Sequence, residues 1–275
     1  MLKFLTRLDP QSIVGFVLRL PLRWLPRRHV TRVRTGLNRG ARWIVGAHIH
    51  RCWLGTYEVE MQACIAALVR PGMVIWDIGA NAGFHTLAFA RLAGPGGRVV
   101  AFEPLAENVQ NLLQHVRLNR LTNTRVVQAA LAARSGWTSF AIAELNSMGR
   151  LTDQDTSYLV PVTSIDEFLA REPGARPDVL KIDVEGAEAA VLAGAAGLLS
   201  RFAPQILLAV HGAKQSRQCR EILLAHGYML SNLDGSAPGP VSPHNEEIVA
   251  RKPALAGRPD RFHPASAGIV SPAIG

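Results

Sequence analysis

Two stretches place carboxylates directly after short apolar runs. The first is Val74-Ile75-Trp76-Asp77-Ile78-Gly79-Ala80-Asn81-Ala82-Gly83. The second is Asp178-Val179-Leu180-Lys181-Ile182-Asp183-Val184-Glu185-Gly186-Ala187-Glu188. A glycine turn between a strand and a helix is where doubly wound sheets hold phosphates or nucleosides. In a dinucleotide turn, G-x-G-x-x-G, the glycines admit a pyrophosphate at the helix N-terminus. Asp77 at the head of this turn would repel a pyrophosphate but could pair with a cation. That points to S-adenosylmethionine (SAM), whose methionyl end carries an ammonium beside its sulfonium. Glu103, in Ala101-Phe102-Glu103-Pro104, follows Asp77 by 26 residues. The offset is close to the roughly 20 residues at which an acid takes hydrogen bonds from ribose hydroxyls.

The second stretch offers a place for proton transfer. An alcohol is a poor nucleophile until a base removes its proton, and bases near neutral pH are histidines or carboxylates of raised pKa. Asp183 is the first candidate and His211, which ends the run Gln205–Val210, the second; Glu185 stands beside them. His85 falls early in a helix and reads as a packing or cofactor contact. Asp183 and Glu185 could instead hold Mg²⁺, a hard cation that takes carboxylate oxygens, although no ligand spacing decides for a metal.

These residues need strands and helices in alternation, and the pattern supplies them. Apolar runs predict strands at 74–78, 98–102, 124–130, 179–182 and 205–210, with helices over 84–92, 108–117, 187–199 and 214–225 between them. Upstream, Arg42–Val45 reads as a short strand. Thr56–Val69 reads as a helix with Val59, Cys64, Ile65 and Leu68 inward. Residues 136–163 read as two short strands around a polar loop, Asn146–Tyr158, a candidate substrate rim. Gly227–Leu230 and Glu247–Arg251 read as a closing hairpin. The fold class is therefore α/β, doubly wound, with one mainly parallel sheet. Asp77, Glu103, Asp183, Glu185 and His211 all fall at carboxyl ends of strands, where such sheets bind ligands.

Composition sets the outer limits. Hydrophobic residues at 48% suffice for a full core, and no run approaches the roughly 18 apolar residues of a membrane span. Three scattered cysteines, Cys52, Cys64 and Cys219, form no C-x-x-C, which disfavours a disulfide framework or zinc site and makes a reducing cytoplasm the default. Residues 1–51 hold eleven Lys or Arg against one acid, Asp9, so the basic balance belongs to an N-terminal extension and the body is nearly neutral. The expected organisation is a basic amphipathic extension over 1–50, a catalytic domain over 51–252, and a disordered Pro/Ala/Gly-rich tail over 253–275. Residues 1–30 suit packing on the core, or peripheral contact with an anionic inner membrane face; contact with nucleic-acid phosphates is weaker.

The ordered set D-I-G-A-N-A-G-F-H-T, A-F-E-P, V-T-S-I-D-E-F and L-K-I-D-V-E-G-A-E resembles the FkbM family of SAM-dependent methyltransferases. The resemblance spans about residues 55–252 and includes Gly55-x-Tyr57-Glu58. It implies a seven-stranded methyltransferase fold and transfer to a hydroxyl oxygen, often of a sugar, glycan or polyketide-like metabolite. Asp77, Gly79, Asn81 and Gly83 would then surround the methionyl part of SAM and Glu103 the ribose. Asp183, Glu185 and Glu188 match the carboxylate motif near the transferred methyl. One departure stands out: the family often ends the next strand in Glu-x-His, and here Ala209-Val210-His211 keeps only the histidine.

Three rivals have weaker support. A nucleic-acid methyltransferase would need an N-P-P-Y-like motif or a catalytic cysteine, and Lys-Ile-Asp-Val-Glu-Gly follows Leu180 instead. A non-catalytic SAM-binding or membrane-surface adaptor would account for the missing glutamate. A nicotinamide dehydrogenase is disfavoured by Asp77 in the turn.

Overall fold

The computed structural model describes residues 28–142, 149–152, 159–242 and 244–253. The expected amphipathic helix before residue 28, the C-terminal tail after 253, and most of the polar loop 146–158 lie outside them. Strands β1 (Val30–Arg32) and β2 (Arg42–Ile44) pair antiparallel. A 3-10 turn over Val45–Ala47, helix α1 (His50–Leu54) and helix α2 (Val59–Leu68) lead into β3 (Val74–Ile78). Then α3 (Phe84–Ala93), β4 (Arg98–Phe102), α4 (Ala106–Leu118) and β5 (Thr124–Val127) follow in alternation.

Four short strands come next: β6 (Ala130–Leu131), β7 (Gly136–Ile142), β8 (Gly149–Thr152) and β9 (Leu159–Thr163). The chain returns through α5 (Ile165–Arg171) to β10 (Val179–Ile182), α6 (Glu188–Ala193), α7 (Ala196–Arg201), β11 (Gln205–Val210) and α8 (Ala213–Ala225). It ends in β12 (Met229–Ser231) and β13 (Glu246–Arg251). The main sheet has the order β12-β13-β11-β10-β3-β4-β5. Its five central and edge strands from β11 to β5 run parallel, and β13 is antiparallel to both its neighbours. The expected doubly wound sheet with a closing hairpin is what forms.

The central strands are buried on both faces, as parallel strands between two helical layers must be. Trp76, Ile78, Phe102, Leu180, Ile182 and Leu208 face one core. Ile75, Val99, Val179 and Leu207 face the other, beneath α2 and α3. Asp77 and Lys181 are the buried polar exceptions on β3 and β10.

Several elements depart from their expected bounds for local reasons. The predicted strand 124–130 divides, because after Val127 the backbone leaves β4 and Ala130–Leu131 pair with Val162–Thr163 of β9. Residues 136–163 hold three strands rather than two, and with β6 they form a second sheet of order β6-β9-β7-β8. The predicted helix 187–199 breaks at Gly194, where a Cβ would come within 2.2 Å of the Ala132 carbonyl. Asp166 of α5 restarts it by accepting hydrogen bonds from the Gly197 and Leu198 amides at 2.7 and 2.8 Å, an N-terminal cap supplied from another helix. Val59 is exposed rather than inward: α2 begins after Glu58, and its buried face is Met61, Gln62, Cys64, Ile65 and Leu68. All three cysteines are free and buried.

Residues 28–58 pack against the first corner of the sheet. The Trp43 ring stacks on His115 of α4 with centroids 3.9 Å apart and meets Phe84 edge-on. The Ile44 amide donates to His115 Nε2 at 2.9 Å, so Nδ1 carries the ring's hydrogen and donates to the Ala82 carbonyl at 2.7 Å. Asn38 donates to the Phe84 carbonyl at 2.6 Å. One histidine therefore ties β2, α4 and the glycine turn together. Burial pushes His115 down to about 4, outweighing the Ala82 carbonyl, and keeps it neutral. Among the described residues no helix is long and apolar enough to cross a membrane.

Candidate active site

A cavity opens at the carboxyl ends of β3, β4 and β10. Its walls include Asp77, Gly79, Asn81, His85, Glu103, Asn108, Lys181, Asp183 and Glu185; Trp43, His48 and Tyr57 of the upstream segment close one side, and Ala129–Leu131 another. Asp77, Gly79, Asn81, Glu103, Asp183 and Glu185 thus share one cavity. Gly83 and His211 stand just behind its wall.

The first corner is held by close approaches. Gly79 has φ +80, and a Cβ there would lie 1.8 Å from the Asp183 carbonyl oxygen. Only glycine lets the β3 turn pass so near the loop after β10. Gly83 has φ +92, and a Cβ there would meet Leu112 of α4 at 2.3 Å. Asn81 adopts a left-handed φ of 48, and its amide donates to Glu103 Oε2 at 2.8 Å. Glu103 also accepts from the Leu105 amide at 3.0 Å and the Asn108 side chain at 3.1 Å. Three of a carboxylate's about four acceptor positions are therefore engaged, leaving room for one outside donor. Burial pushes the Glu103 carboxyl up, and these hydrogen bonds offset that only in part.

Asp77 is fully buried. Thr86 donates to its Oδ2 at 2.5 Å, while Oδ1 has no hydrogen-bond partner and lies 4.0 Å from Lys181 Nζ. Lys181 also donates to Asp183 Oδ2 at 3.1 Å. Burial alone would lower its pKa, but Asp183, Asp77 and Glu58 outweigh burial and hold it raised. One buried ammonium thus joins the carboxylates of the two corners, because β3 and β10 are parallel neighbours in register at Asp77 and Lys181. The sequence contains this lysine in its second motif, yet nothing in the spacing says that it bridges the strands.

The second corner gathers around His211, since β10 and β11 are also neighbours. Nδ1 of His211 lies 2.8 Å from Glu188 Oε1, a carboxylate with no exposure. Nε2 lies 3.3 Å from Glu185 Oε2 and 3.8 Å from Asp183 Oδ1. Burial acts to lower His211, but Glu188, Glu185 and Asp183 prevail and raise it. Glu185 is itself raised, chiefly by burial. The glutamate absent at position 209 has a spatial counterpart: Glu247 of β13 stands directly across the ladder from Ala209. Burial first, then Glu58 and Asp183, push its carboxyl up to about 7.

Glu58, quoted in the upstream motif but given no role there, reaches this region too. Its Oε2 lies 2.7 Å from His85 Nε2. Burial opposes ionisation of Glu58, but His85 and Lys181 overcome it and bring the carboxyl to about 2.

The family described as Methyltransferase FkbM domain matches residues 77–233, more than half of the chain. Hexuronic acid methyltransferase AglP of Haloferax volcanii is 26% identical over 152 residues, covering 54% of this chain and 61% of that protein. The 31-O-demethyl-FK506 methyltransferase FkbM of Streptomyces tacrolimicus is 31% identical over 176 residues, covering 52% and 64%. The chain therefore spans less than two thirds of either relative. A crystal structure of methyltransferase FkbM from Methylobacillus flagellatus aligns with a TM-score of 0.47 at 16% identity, over 73% of this chain and 53% of that one. With a family match that begins at Asp77 and takes in both corners, this chain belongs to the FkbM methyltransferase family.

Proposed function

We propose that the protein transfers the methyl group of SAM to a hydroxyl oxygen of a small molecule, with sugars, glycans or glycolipids and secondary metabolites as the acceptor class. The observation that carries this reading is the joining of the two corners across one cavity. The donor set fits the cofactor: Asp77 Oδ1 is a buried, unpartnered acceptor for an ammonium, and Glu103 retains one acceptor position for a ribose hydroxyl. Gly79, Asn81 and Gly83 shape the turn between them. When bound, SAM supplies an electrophilic methyl on a sulfonium and leaves as S-adenosylhomocysteine.

The chain's own part is alignment, exclusion of water and removal of one proton. Glu188 fixes Nδ1 of His211, which turns Nε2 toward Asp183 and Glu185. Lys181 orients Asp183. The acceptor's O–H proton passes to the Asp183–His211 pair as its oxygen bonds to the methyl carbon. Glu185 lies beside the pair. The relatives' printed substrates, a hexuronic acid and a demethylated FK506, are consistent with a hydroxyl acceptor.

A second reading has an observation of its own. Donor atoms of Asp183, Glu185 and His211 all lie within 4.8 Å of one another, close enough to share a divalent cation such as Mg²⁺. Activity that survives EDTA undiminished and gains nothing from added Mg²⁺ or Mn²⁺ would remove it.

The test of function is incubation with methyl-labelled SAM and fractionated extracts. Label recovered in saccharide, glycolipid or small-metabolite fractions supports hydroxyl transfer. Label confined to nucleic acid would overturn it, and SAM binding with no transfer to any fraction would favour a non-catalytic adaptor.

A further inference from the structure

Three segments that pack together on one side of the molecule hold arginines and no acid. Residues 28–54, helix α3 and residues 108–123 carry nine arginines and not one Asp or Glu. They share a hydrophobic cluster in which Val33, Ala41 and Trp43 meet Phe84, Leu87 and Leu118. Backbone contacts gather six of the arginines. Arg32 and Arg42 stand opposite each other in the β1–β2 ladder, so their side chains lie on one face. The Arg42 amide donates to Asn119 Oδ1 at 2.7 Å, and Asn119 Nδ2 donates back to the Arg42 carbonyl at 2.8 Å. That joint sets Arg42 beside Arg120 and Arg117, which are themselves linked by an amide–carbonyl bond of 3.1 Å. Arg91 of α3 donates to the Arg39 carbonyl at 3.1 Å, and Arg32 to the adjoining Gly40 carbonyl at 3.0 Å. All six are exposed. Among the described residues the arginine ion pairs lie elsewhere, at Arg98, Arg125, Arg171 and Arg220.

A helix end accounts for two of the six. Arg91 and Arg117 stand in the last turns of α3 and α4, where the dipole favours a cation. It does not account for Arg32, Arg39, Arg42 or Arg120, which repel those two and one another. Such a face is stabilised by meeting a surface dense in negative charge, and the guanidinium fork matches phosphate oxygens. The composition of residues 1–27 decides between two phosphate-rich surfaces. That stretch adds five Lys or Arg against one acid, and fourteen of its residues are apolar, among them Phe4, Phe16 and Trp24. A nucleic-acid backbone offers such side chains nothing, whereas the headgroup boundary of a bilayer takes them up. A basic patch or an apolar anchor alone holds weakly to a membrane; the two together hold firmly. Residues 1–27 join the described chain at Arg28, just before β1, so the apolar stretch is tethered directly to the arginine face.

We propose that this arginine face, together with residues 1–27, docks the protein on the surface of an anionic phospholipid bilayer. Helices α3 and α4 run back from the carboxyl to the amino ends of the strands, and Arg91 and Arg117 sit at their far ends. The face therefore lies away from the cavity at the carboxyl ends, and the docked protein keeps that cavity open. Docking does not depend on the methyltransferase reading.

Co-sedimentation of the full chain with lipid vesicles tests this. Phosphatidylcholine vesicles should leave the protein in the supernatant. Vesicles of phosphatidylcholine mixed with phosphatidylglycerol should pellet it, and less so at high salt. In a variant carrying Arg39→Gln, Arg42→Gln, Arg117→Gln and Arg120→Gln, the partition coefficient should fall about tenfold or more. A control variant of the same net charge, with Arg134→Gln, Arg171→Gln, Arg201→Gln and Arg217→Gln, replaces exposed arginines outside the face and should pellet as the wild type does. Thermal unfolding of both variants checks that they fold. Equal pelleting by the two kinds of vesicle, or by neither, would overturn the proposal in the wild type alone. An equal loss in the two variants would reduce it to an effect of net charge. Tighter binding to duplex DNA or RNA than to anionic vesicles at the same salt would also overturn it and make the face a nucleic-acid surface.

Discussion

Glu188 determines which nitrogen of His211 faces Asp183 and Glu185, and the charge of Glu188 helps hold the imidazolium form. Because His211 is raised above its ordinary value near 6.5, its neutral, proton-accepting form appears only as pH climbs through that raised value. The rate of methyl transfer by metal-free protein should therefore rise with pH along a limb above pH 6.5. In Glu188→Gln the limb should move to lower pH, because a charge that favours the protonated ring is gone. A pH–rate profile with an unmoved limb would take Glu188 out of the mechanism. Gly79→Ala tests the other corner. Its Cβ would overlap the Asp183 carbonyl, so a loss of about 3 kcal/mol or more should show as a lower urea midpoint, together with weaker S-adenosylhomocysteine binding.

At the scale of elements, His115 makes the contact of β2 and α4 with the glycine turn sensitive to acid. Its folded pKa of about 4 lies below the unfolded value, so the unfolded chain binds the proton first as pH falls. The contribution of neutral His115 is complete above about pH 6.5 and is lost progressively toward pH 4, on the order of 3 kcal/mol in total. Equilibrium unfolding between pH 7 and 4 should show this slope, and His115→Asn should flatten it. The alternation of strands and helices was readable because parallel strands buried on both faces are continuous apolar runs. Lys181 interrupts one such run, yet β10 still reads as a strand. What the sequence did not show is pairing across distance. The division of 124–130 depends on β9, whose Val162 pairs with Ala130 from 32 residues further along the chain. The break at Gly194 depends on Ala132 and Asp166, and the exposure of Val59 on the left-handed Glu58. None of these is a property of its own segment.

Over the whole molecule, the carboxylates at the strand ends were legible in kind but not in partnership. Asp77, Glu103, Asp183, Glu185 and His211 could be picked out by position. That Lys181 bridges two of them, that Glu247 stands across from Ala209, and that Glu58 supports His85 required the sheet order and the packing of residues 28–58. If the cavity is the cofactor seat, ligand should stabilise the entire chain. S-adenosylhomocysteine at about 100 times its Kd should add about 2.7 kcal/mol and raise Tm by roughly 5–10 °C, whereas NAD at the same concentration should leave Tm unchanged. A shift with NAD and none with S-adenosylhomocysteine would reverse the assignment of the turn. The approach of Gly79 to the Asp183 carbonyl also bears on how such an enzyme can diversify. The glycine turn after β3 and the loop after β10 touch through backbone atoms, so neither can drift in shape without the other. Novel acceptor preferences must therefore arise in walls that leave this contact alone, such as His48 and Ile49 in the segment before α2. Randomising residues 48 and 49 should preserve S-adenosylhomocysteine affinity across most of a library, while randomising 184–186 should abolish it in most members.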